Sequence, residues 1–436
     1  MARILVLSTT TGYQLRSFGD AASRLGIDLV FATDRCHRLD DPWRDAAIPV
    51  RFHEETASLD AIVEASKRTP IDGVIAVGDR PVVLAARAAQ ALGVPGHPPA
   101  AAAATANKKL ARQLFSDAGM NVPWFFEVRD GEKPAAFAVR ASYPLIVKPL
   151  GLSGSRGVIR ADTREQFVAA IALVRALLAR PDVRALRNGL DATLLVEGFI
   201  EGMEVAVEGV ATAGILRTFA IFDKPEPLDG PFFEETIYVS PSRLSDADQR
   251  AVRDEVERGV AALGLTDGPI HAECRVGPGG VSVLEIAARP IGGLCSQVLR
   301  FTSTAASGSE AAHDGDGQPL PLVSLEEVLL RHAARLDISH FVREPQAAGV
   351  MMIPIPQRGM LKRVEGVEAA RAVPGTDGVK ITAKIGQTLE RLPEAGSYLG
   401  FIFARGATAA DVIGTLELAH SQLTFTIDAP IMLVKA

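Results

Sequence analysis

The run Ile270-His-Ala-Glu-Cys-Arg-Val-Gly-Pro-Gly-Gly-Val-Ser-Val-Leu-Glu-Ile-Ala-Ala-Arg-Pro290 is the most informative part of the 436-residue sequence. Its two strand-like halves flank a Gly/Pro turn, which predicts a β-hairpin. If the loop is the three residues Pro278-Gly-Gly280, Glu273 lies directly opposite Glu285, and opposite residues share one face. A loop of two or four residues would instead place these glutamates on opposite faces.

Two carboxylates that face each other across a strand ladder repel, and they call for a cation between them. Hard oxygen ligands suit Mg²⁺, so Glu273 and Glu285 are candidate metal ligands. The period of two puts His271 and Arg275 on the face of Glu273. Arg289, four residues after Glu285, can reach the same side. A salt-bridged surface hairpin is the alternative.

The pair His271-x-Glu273 does not by itself predict a zinc site. The P-C-x-x-C half of a deaminase pattern is missing from the sequence, and so is H-E-x-x-H. We therefore expect His271 to be a substrate-facing residue, a hydrogen-bonded strand residue or a metal ligand, and the sequence leaves these three open.

A glycine-rich segment, Gly151-Leu-Ser-Gly-Ser-Arg-Gly157, follows a predicted strand over Tyr143–Lys148. Successive glycines and serines let backbone N–H groups turn toward an anion, and Lys148 supplies positive charge beside them. The spacing is not that of a P-loop. The segment predicts an anion-binding loop, with an ordinary flexible turn as the alternative.

Two glutamates mark the next pair of strand-like runs. Glu197 ends an apolar run, and Glu204 begins another one after a turn that Gly202 allows. A carboxylate that leaves a buried strand needs a partner, and ribose hydroxyls or an adenine amino group would serve. A solvated glutamate at a strand end is the alternative.

The first hundred residues alternate strand-length apolar runs with helix-length segments. The predicted strands are Arg3–Ser8, Asp28–Thr33 and Gly73–Val77, and the predicted helices are Gln14–Leu25, Leu59–Arg68 and Arg80–Leu92. This order predicts a parallel sheet with right-handed crossovers. The first turn lacks the G-x-G-x-x-G of a dinucleotide fold, which argues against an NAD enzyme.

Three later segments organise the rest of the chain. Lys224–Pro241 holds four prolines, and we expect an irregular lid there because it is too rich in proline for regular structure. Ser303–Pro321 is small and polar and predicts a mobile surface insertion. Short strands at Val350–Ile355 and Tyr398–Ala404 and a helix at Thr408–Ser421 predict a separate C-terminal α+β domain.

Composition restricts the class of protein. The 46 Lys+Arg against 52 Asp+Glu give a net charge of −6, so a broad surface for binding nucleic acid is not expected. No apolar stretch reaches the ~18–20 residues of a membrane span, and we expect no signal peptide. Cys36, Cys274 and Cys295 are odd in number and widely spaced, which favours a reducing cytoplasm without a disulfide framework.

Taken together, these motifs resemble the ATP-grasp superfamily, and more narrowly its carboxylate–amine ligases of the L-amino acid ligase type. The matching motifs are, in order, Asn107-Lys108 with Arg112, Pro144-Leu-Ile-Val-Lys148 with its glycine loop, Val196-Glu197 through Glu204, Glu273, Glu285 and Ala288-Arg289-Pro-Ile-Gly-Gly293. The resemblance covers nearly the whole chain and implies an α/β fold with three domains. These are an N-terminal Rossmann-like parallel-sheet domain over 1–100, a two-lobed ATP-grasp domain over 101–340 with the nucleotide between its lobes, and a C-terminal α+β domain over 341–436.

The resemblance also implies which residues bind ATP and metal. The implied nucleotide-binding set is Lys108 and Lys148 at the phosphates, Gly151, Ser153, Gly154, Ser155 and Gly157 in the loop over them, Glu197, Phe199 and Ile200 at adenine, and Glu204 at ribose. Glu273 and Glu285 would coordinate Mg²⁺, with Mn²⁺ as the other candidate. Where many ATP-grasp enzymes have an asparagine ligand, this chain has Ala287, a form that resembles the amino-acid ligase branch. Water or substrate would then supply the missing oxygen.

The implied reaction is ADP-forming synthesis of an amide. ATP would phosphorylate a carboxylate, and an amine would attack the resulting acyl phosphate. Arg289 would stabilise the oxyanion, and Glu235 of the lid, or Glu234 beside it, would meet the amine. His271 is the third candidate catalytic residue. The closed lid would keep water from the acyl phosphate.

The resemblance implies small-molecule carboxylate and amine substrates, in particular amino acids joined into a dipeptide. An ATP-dependent carboxylase is the runner-up and a phosphotransferase is a further class. A non-catalytic nucleotide sensor is disfavoured, because both metal carboxylates and Arg289 are present. We expect a cytoplasmic enzyme with no nucleic-acid or membrane partner. Homodimers are common among relatives, and the sequence leaves the oligomeric state open, with a homodimer as one candidate.

Overall fold

The computed structural model describes residues 1–9, 15–34, 47–187, 189–304 and 322–429. The N-terminal unit consists of β1 Arg3–Ser8, α1 Leu15–Leu25, β2 Asp28–Thr33, β3 Ile48–Pro49, α2 Glu55–Arg68, β4 Gly73–Val77 and α3 Val82–Leu92. Its sheet has the order β3-β2-β1-β4, and all its pairings are parallel. The predicted parallel sheet is confirmed, and the three predicted strands have the predicted bounds.

The four middle residues of strand β1 are apolar because the strand is buried on both faces. Residues Ile4–Leu7 have no exposed surface. Alternate side chains fall into two core clusters, one with Ile62 of α2 and the other with Phe18 of α1. Helices therefore cover both faces of the sheet, and the loops after its strands meet at one edge, where Asp79 follows β4.

A small lobe follows the N-terminal unit. The connecting helices and the lobe consist of α4 Pro99–Thr105, α5 Lys108–Asp117, β5 Phe125–Arg129, α6 Pro134–Ala138, β6 Leu145–Pro149, β7 Ile159–Ala161, α7 Arg164–Leu178, α8 Pro181–Arg184 and β8 Thr193–Gly198. The sheet has the antiparallel order β5-β8-β6-β7, and Phe167 and Ile171 of α7 belong to the core on its face. The glycine-rich segment connects β6 to β7.

The larger lobe and the C-terminal part make up the rest. The larger lobe consists of β9 Met203–Thr212, β10 Ile215–Asp223, β11 Ile237–Ser240, α9 Asp246–Leu263, β12 Gly268–Gly277, β13 Gly280–Ala287, a 3₁₀ turn Cys295–Val298, β14 Arg300–Ser303, β15 Val323–Ser324, α10 Leu325–Ala333 and β16 Phe341–Arg343. The C-terminal part consists of β17 Ala347–Ile353, β18 Gly359–Glu365, α11 Val367–Ala372, β19 Thr376–Ile381, β20 Thr388–Leu389, β21 Gly400–Gly406, α12 Ala409–Ser421 and β22 Thr424–Asp428.

One eight-stranded sheet joins the larger lobe to the C-terminal part. Its order is β13-β12-β9-β10-β11-β17-β21-β19, and β11 pairs with β17 so that Tyr238 lies opposite Val350. The C-terminal part is α+β, as predicted, and its buried strands continue the sheet of the larger lobe. The domain boundaries near 100 and 340 stay predictions.

We expected an irregular segment over Lys224–Pro241, and this prediction is wrong for residues 237–240. Ile237–Ser240 forms β11, and all four residues are buried between β10 and β17. The four prolines lie outside this strand, so none of them removes a ladder hydrogen bond. Residues 224–236, which we call the lid segment, contain no helix or strand, only a single bridge from Phe232 to Ile159.

Some predictions concern residues that the structure does not describe. Residues 305–321 of the predicted insertion and Cys36 lie outside the described residues. Cys274 and Cys295 are buried free thiols. Among the described helices, none is long and apolar enough to cross a lipid bilayer.

Candidate active site

The hairpin of β12 and β13 has a shorter loop than predicted, yet its two glutamates lie opposite each other. Gly277 pairs with Gly280, so the loop has two residues and the predicted three-residue loop is wrong. A β-bulge next to Glu273 leaves Leu284 unpaired, and this extra residue restores Glu273 to its place opposite Glu285. Both glutamates line one cavity, as the sequence prediction requires.

Arg112 of α5 holds the bulge. Its guanidinium is buried and donates from Nη1 to the Val283 carbonyl at 2.7 Å and from Nη2 to the Leu284 carbonyl at 3.2 Å. Its Nε donates to Glu197 Oε2 at 3.1 Å. A bulge disrupts the strand ladder locally, and one planar guanidinium satisfies two of the carbonyls there.

A cavity of about 580 Å³ gathers most of the predicted site residues. Those that line it are Lys108, Lys148, Ser153, Gly154, Ser155, Glu197, Phe199, Ile200, Glu204, Glu235, His271, Glu273, Glu285 and Arg289. Gly151 and Gly157 are not in the lining. Gly157 has a φ of +73°, which favours glycine, and it shapes the glycine-rich segment from outside the cavity.

Lys108 joins a candidate metal ligand to the glycine-rich segment. Asn107 caps α5 by accepting a hydrogen bond from Leu110 N, which makes Lys108 the first helical residue. The Nζ atom of Lys108 lies 3.2 Å from Glu285 Oε2 and donates to the Leu152 carbonyl at 2.8 Å. The contact therefore brings positive charge to one end of the cavity.

Lys148, Glu197 and Arg112 form a buried ionic network. Lys148 Nζ donates to Glu197 Oε1, while Arg112 binds Oε2. Burial opposes the charge on Glu197, but the two cations outweigh it and lower the pKa of this carboxyl; burial lowers the pKa of Lys148. Both oxygens of Glu197 thus face cations, and its contact with adenine stays a prediction.

Three carboxylates surround the ammonium group of Lys224. Oxygens of Glu204, Glu235 and Glu273 lie 2.7, 2.8 and 3.2 Å from Nζ, and one ligand oxygen of each lies within 4.8 Å of the others. Burial opposes the charge on Lys224, but the carboxylates outweigh it and raise the lysine pKa well above its usual value. Burial and the Glu273 charge raise the pKa of Glu235 to about 7. Burial opposes the charge on Glu273, but Lys224 and His271 outweigh this effect and lower the pKa of Glu273.

The donor chemistry of the hairpin fits a hard divalent cation. Glu273 and Glu285 share one face and line the cavity, and Lys224 and Lys108 each lie 3.2 Å from one of their carboxylate oxygens. Oxygen ligands from one or two carboxylates are the usual protein contribution to a Mg²⁺ site that also binds phosphates. The metal roles of the two glutamates stay a prediction.

Arg289 extends from the end of β13 toward the N-terminal unit. Its Nε donates to Asp79 Oδ1 at 2.7 Å and its Nη1 donates to the Pro290 carbonyl at 3.0 Å. Burial opposes the charge on Asp79, but Arg289, and to a smaller extent Ser153 of the glycine-rich segment, lower the pKa of Asp79 against this effect. Burial opposes the charge on Arg289, but Asp79 outweighs it and raises the arginine pKa. The cavity therefore holds a fixed cation of the kind that stabilises an oxyanion.

His271 is hydrogen-bonded to a buried carboxylate on the neighbouring strand β9. Its Nδ1 lies 3.2 Å from Glu208 Oε2, and its Nε2 lies 3.8 Å from Glu273 Oε1. Glu208 also accepts from Ile291 N at 3.1 Å. Of the three roles expected for His271, the structure shows that of a hydrogen-bonded strand residue. A catalytic role for His271 stays a prediction.

Phe199 and Ile200 follow β8 and line the cavity at the strand end. The guanidinium carbons of Arg160 and Arg275 lie 4.3 and 4.8 Å from the centre of the Phe199 ring. Arg275 donates from Nε to Glu204 Oε2 at 3.2 Å. The predicted adenine and ribose residues are therefore neighbours and are joined by Arg275.

Residues 391–398, which we call the C-terminal strap, reach the glycine-rich segment. The Gly157 N–H donates to the Pro393 carbonyl at 3.0 Å. A Cβ on Gly396 would lie 2.8 Å from the Gly154 carbonyl, a close approach that glycine allows. The last three residues of the strap also line the cavity, so the C-terminal part forms one of its walls.

Sequence reasoning missed Asp79, which lines the cavity, and also Glu208 and Lys224, which contact the lining residues His271 and Glu273. Asp79 lies 210 residues from its partner Arg289, and no local pattern connects them. Glu208 lies four residues after Glu204 on a buried strand, and a charged residue in an apolar strand was the signal that could have revealed it. Lys224 follows a buried strand directly, which was a similar signal.

Three family patterns match consecutive parts of the chain. The ATP-grasp N-terminal domain matches residues 19–96, the ATP-grasp domain matches residues 141–298, and the L-amino acid ligase C-terminal domain 2 matches residues 351–428. The chain is therefore an ATP-grasp ligase. Within that superfamily it resembles the L-amino acid ligases, as the sequence prediction states.

Relatives agree with this assignment. The crystal structure of an L-amino acid ligase from Bacillus licheniformis superposes with a TM-score of 0.79 at 25% identity, covering 98% of this chain and 99% of that one. Protein y4rH of Sinorhizobium fredii is 24% identical over 98% of this chain and 84% of its own length. The alanine–anticapsin ligase of Bacillus amyloliquefaciens is 24% identical over 51% of this chain, which spans only 49% of that enzyme.

Proposed function

We propose that the protein is an ADP-forming ligase that activates the carboxylate of an amino acid as an acyl phosphate and joins it to an amine. The observation that carries the proposal is that Glu273, Glu285, Lys108, Lys148 and Arg289 line one cavity. They provide places for a nucleotide, a divalent cation and an oxyanion side by side. The match to the L-amino acid ligase C-terminal domain supports an amino-acid substrate.

In the proposed complex, ATP extends along the cavity between the two lobes. The base lies near Phe199 and Ile200, the ribose near Glu204, and the phosphates near Lys108 and Lys148. The backbone N–H groups of the glycine-rich segment face the phosphates. Mg²⁺ or Mn²⁺, held by the two hairpin glutamates, would neutralise charge on the transferred phosphoryl group.

The proposed reaction has two steps because a free carboxylate has only oxide as a leaving group. An oxygen of the substrate carboxylate attacks the γ-phosphorus of ATP, the bond from phosphorus to the bridging oxygen breaks, and ADP leaves. The amine nitrogen then attacks the acyl carbon, the carbon–oxygen bond to phosphate breaks, and the nitrogen loses a proton. The products are ADP, phosphate and an amide.

The protein groups act on this reaction by position and charge. Arg289, held by Asp79, would bind the oxyanion of the second step, where loss of one such donor typically costs ~3–4 kcal/mol. Glu235 would meet the amine, because it lines the cavity while Glu234 does not. The lid segment would exclude water, which otherwise hydrolyses an acyl phosphate.

The first test is phosphate release from ATP with and without both substrates. We expect release that requires an amino acid and an amine together, and an equal amount of amide, or dipeptide if both substrates are amino acids, by mass spectrometry. Release with bicarbonate alone would favour a carboxylase. A stable phosphorylated product without an amine would favour a phosphotransferase. The carboxylase is less favoured, because residues 351–428 match the L-amino acid ligase domain.

The second test concerns the metal ligands. Glu285→Gln removes one charged oxygen from the proposed Mg²⁺ site, and we expect phosphate release to fall by about 10²-fold or more, since a charged ligand to the metal is lost. Glu257→Gln, on the exposed side of α9, is the matched control and should leave turnover unchanged. Unchanged turnover in Glu285→Gln would contradict the metal assignment.

Two further properties belong to the proposal. A cytoplasmic location is supported by the free thiols of Cys274 and Cys295, and it implies that no disulfide forms in the cell. The resemblance also makes a homodimer a candidate oligomeric state, and the mass of the protein in solution will test it.

A further inference from the structure

One buried arginine connects three parts of the site that are far apart in sequence. Arg275 is 3% exposed and donates from Nε to Glu204 Oε2 at 3.2 Å. Its Nη1 donates to the Ile200 carbonyl at 2.8 Å, and its Nη2 donates to the Leu228 carbonyl of the lid segment. One rigid group thus touches the proposed ribose residue, the proposed adenine residue and the lid.

Aromatic rings fix the plane of this guanidinium. Its central carbon lies 4.8 Å from the ring centre of Phe199 and 5.9 Å from that of Phe233, which belongs to the lid segment. A planar, five-donor group between such partners keeps a single orientation, whereas an ammonium group has rotatable donors and no plane to stack between two rings.

The lid segment also carries two members of the charged cluster, and one of them, Glu235, lines the cavity. Lys224 and Glu235 lie at its two ends, and both belong to the cluster around Glu273. The Arg275 contact to the Leu228 carbonyl lies between these two ends. Holding Leu228 therefore helps to hold the lid closed with Glu235 turned into the cavity.

We infer that Arg275 is a positioning residue that couples nucleotide binding to closure of the lid segment. This inference rests on the proposed function, in which Glu204 and Ile200 contact the nucleotide. A nucleotide bound to these two acceptors keeps them, the guanidinium and the bound lid in this arrangement, so the entropy cost of ordering is met once for both events. Occupancy of the nucleotide site thereby favours the closed lid before the acyl phosphate forms.

Arg160 of β7 provides a matched control. It contacts the same ring, 4.3 Å from the centre of Phe199, and its Nη1 donates to the Asp229 carbonyl of the lid at 2.8 Å. Among the described contacts it makes none with Glu204 or Ile200. Arg160 therefore holds the lid without a described hydrogen bond to a nucleotide residue, and the ring contact with Phe199 is one that it shares with Arg275.

The experiment compares the full-length protein with its Arg275→Lys and Arg160→Lys variants. Hydrogen exchange of backbone amides in residues 226–236 is measured with and without saturating Mg-ADP, and amide formed per phosphate released is measured during turnover. We expect ADP to slow lid exchange in the wild type by ~tenfold or more, a usual size for such coupling. In Arg275→Lys this effect of ADP and the amide-to-phosphate ratio should both fall, because water reaches the acyl phosphate. In Arg160→Lys the lid should exchange faster throughout but keep its response to ADP.

Retention of the full ADP response by Arg275→Lys would overturn the inference. If that variant does not fold, Glu204→Gln at saturating Mg-ADP gives the same test, and an unchanged ADP response there would also overturn it. The exchange measurement needs no amine. A wild type that binds ADP and closes its lid but makes no amide would therefore contradict the proposed function and leave the coupling supported.

Discussion

Each carboxylate oxygen of Glu197 accepts a hydrogen bond from a cation. Lys148 donates to Oε1 and Arg112 donates to Oε2. An exposed ion pair contributes little to stability. Within this buried network, removing one member leaves the other charges without a counter-charge. Glu197 therefore fixes the position of Lys148, the lysine that we propose to face the ATP phosphates.

At this scale we predict the effect of Glu197→Gln on stability. The free energy of unfolding should fall by about 3–5 kcal/mol at pH 7. Because Arg112 and Lys148 lower the pKa of Glu197 in the folded protein, its contribution is present above the unfolded value of 4.5 and is lost as the pH falls through the lower folded pKa. The difference in the free energy of unfolding between wild type and variant should therefore become smaller below about pH 4.5. Urea unfolding at a series of pH values measures it.

The exposed substitution Glu257→Gln serves as the control, and it should change stability by no more than about 0.5 kcal/mol at any pH. If the difference in the free energy of unfolding between wild type and Glu197→Gln stayed constant into the acid range, the network would not be stabilising the charge of Glu197.

Residue identities at the site could be predicted far better than their partners. Glu273, Glu285 and Arg289 were predicted from the hairpin pattern and line the cavity, although the predicted loop length was wrong and a bulge restores the pairing. The ammonium group among the acidic residues could not be foreseen, because Lys224 meets Glu273 only through the pairing of distant strands. Side-chain partners of this kind depend on tertiary contacts that have no local sequence pattern.

At the scale of elements, the hairpin depends on a contact from outside it. A two-residue loop alone would put Glu273 and Glu285 on opposite faces, and the bulge at Leu284 reverses that outcome. Arg112 of α5 binds both carbonyls of the bulge. The metal-binding face of the hairpin is therefore maintained by a helix that precedes it by more than a hundred residues.

We predict that Arg112→Lys loosens this element. A lysine cannot replace a fork that binds two carbonyls and a carboxylate, so amides of residues 282–286 should exchange at least ~tenfold faster. Phosphate release should fall with it, because Glu285 is no longer held opposite Glu273. Hydrogen exchange with peptide resolution and a phosphate assay measure the two effects.

Arg258→Lys on α9 is the control for this substitution. Arg258 also binds a main-chain carbonyl, that of Gly119 at 3.1 Å, and an acidic partner, Glu255 at 2.6 Å. It does not line the cavity. Equal effects of both substitutions on phosphate release would show that Arg112 acts on general stability and not on the bulge.

Elements were predicted well where their own residues determine them. The strands of the N-terminal sheet have the predicted bounds, because burial on both faces gives continuous apolar runs. The loop length of the hairpin was wrong, and β11 was missed among the prolines around it. In both cases a neighbouring element, α5 or β17, determines the backbone.

At the scale of the whole molecule, the sheet order makes the C-terminal part a structural component of the ligase. Strand β11 has β10 on one side and β17 on the other. Val239 is fully buried and Ile237 is 2% exposed in this position. Removing β17 would expose an apolar edge, which favours aggregation.

We predict that the fragment 1–340 does not form a stable nucleotide-binding unit. It should be mostly insoluble, and its soluble fraction should show no ADP-dependent rise in melting temperature, because the edge of β11 and the contact of the strap are both lost. Co-expression with residues 341–436 is the control and should restore both properties. A soluble 1–340 fragment with cooperative unfolding and normal ADP binding would contradict this prediction.

The order of the three regions could be predicted from motif order, since local patterns survive in each of them. How the regions share one sheet could not, because strand pairing between residues 237–240 and 348–351 leaves no trace in either segment alone. The sequence shows which strands exist, while the burial of their edges decides where they pair.

The C-terminal strap has one consequence for attempts to alter this enzyme. Three of its residues line the cavity in which we propose that the substrates bind, and the same backbone bonds to the loop proposed to cover the triphosphate. Mutations selected there for a new acid or amine should therefore carry a kinetic penalty in the use of ATP. The range of products will be easier to broaden by mutating parts of the cavity wall that are not bonded to the glycine-rich segment.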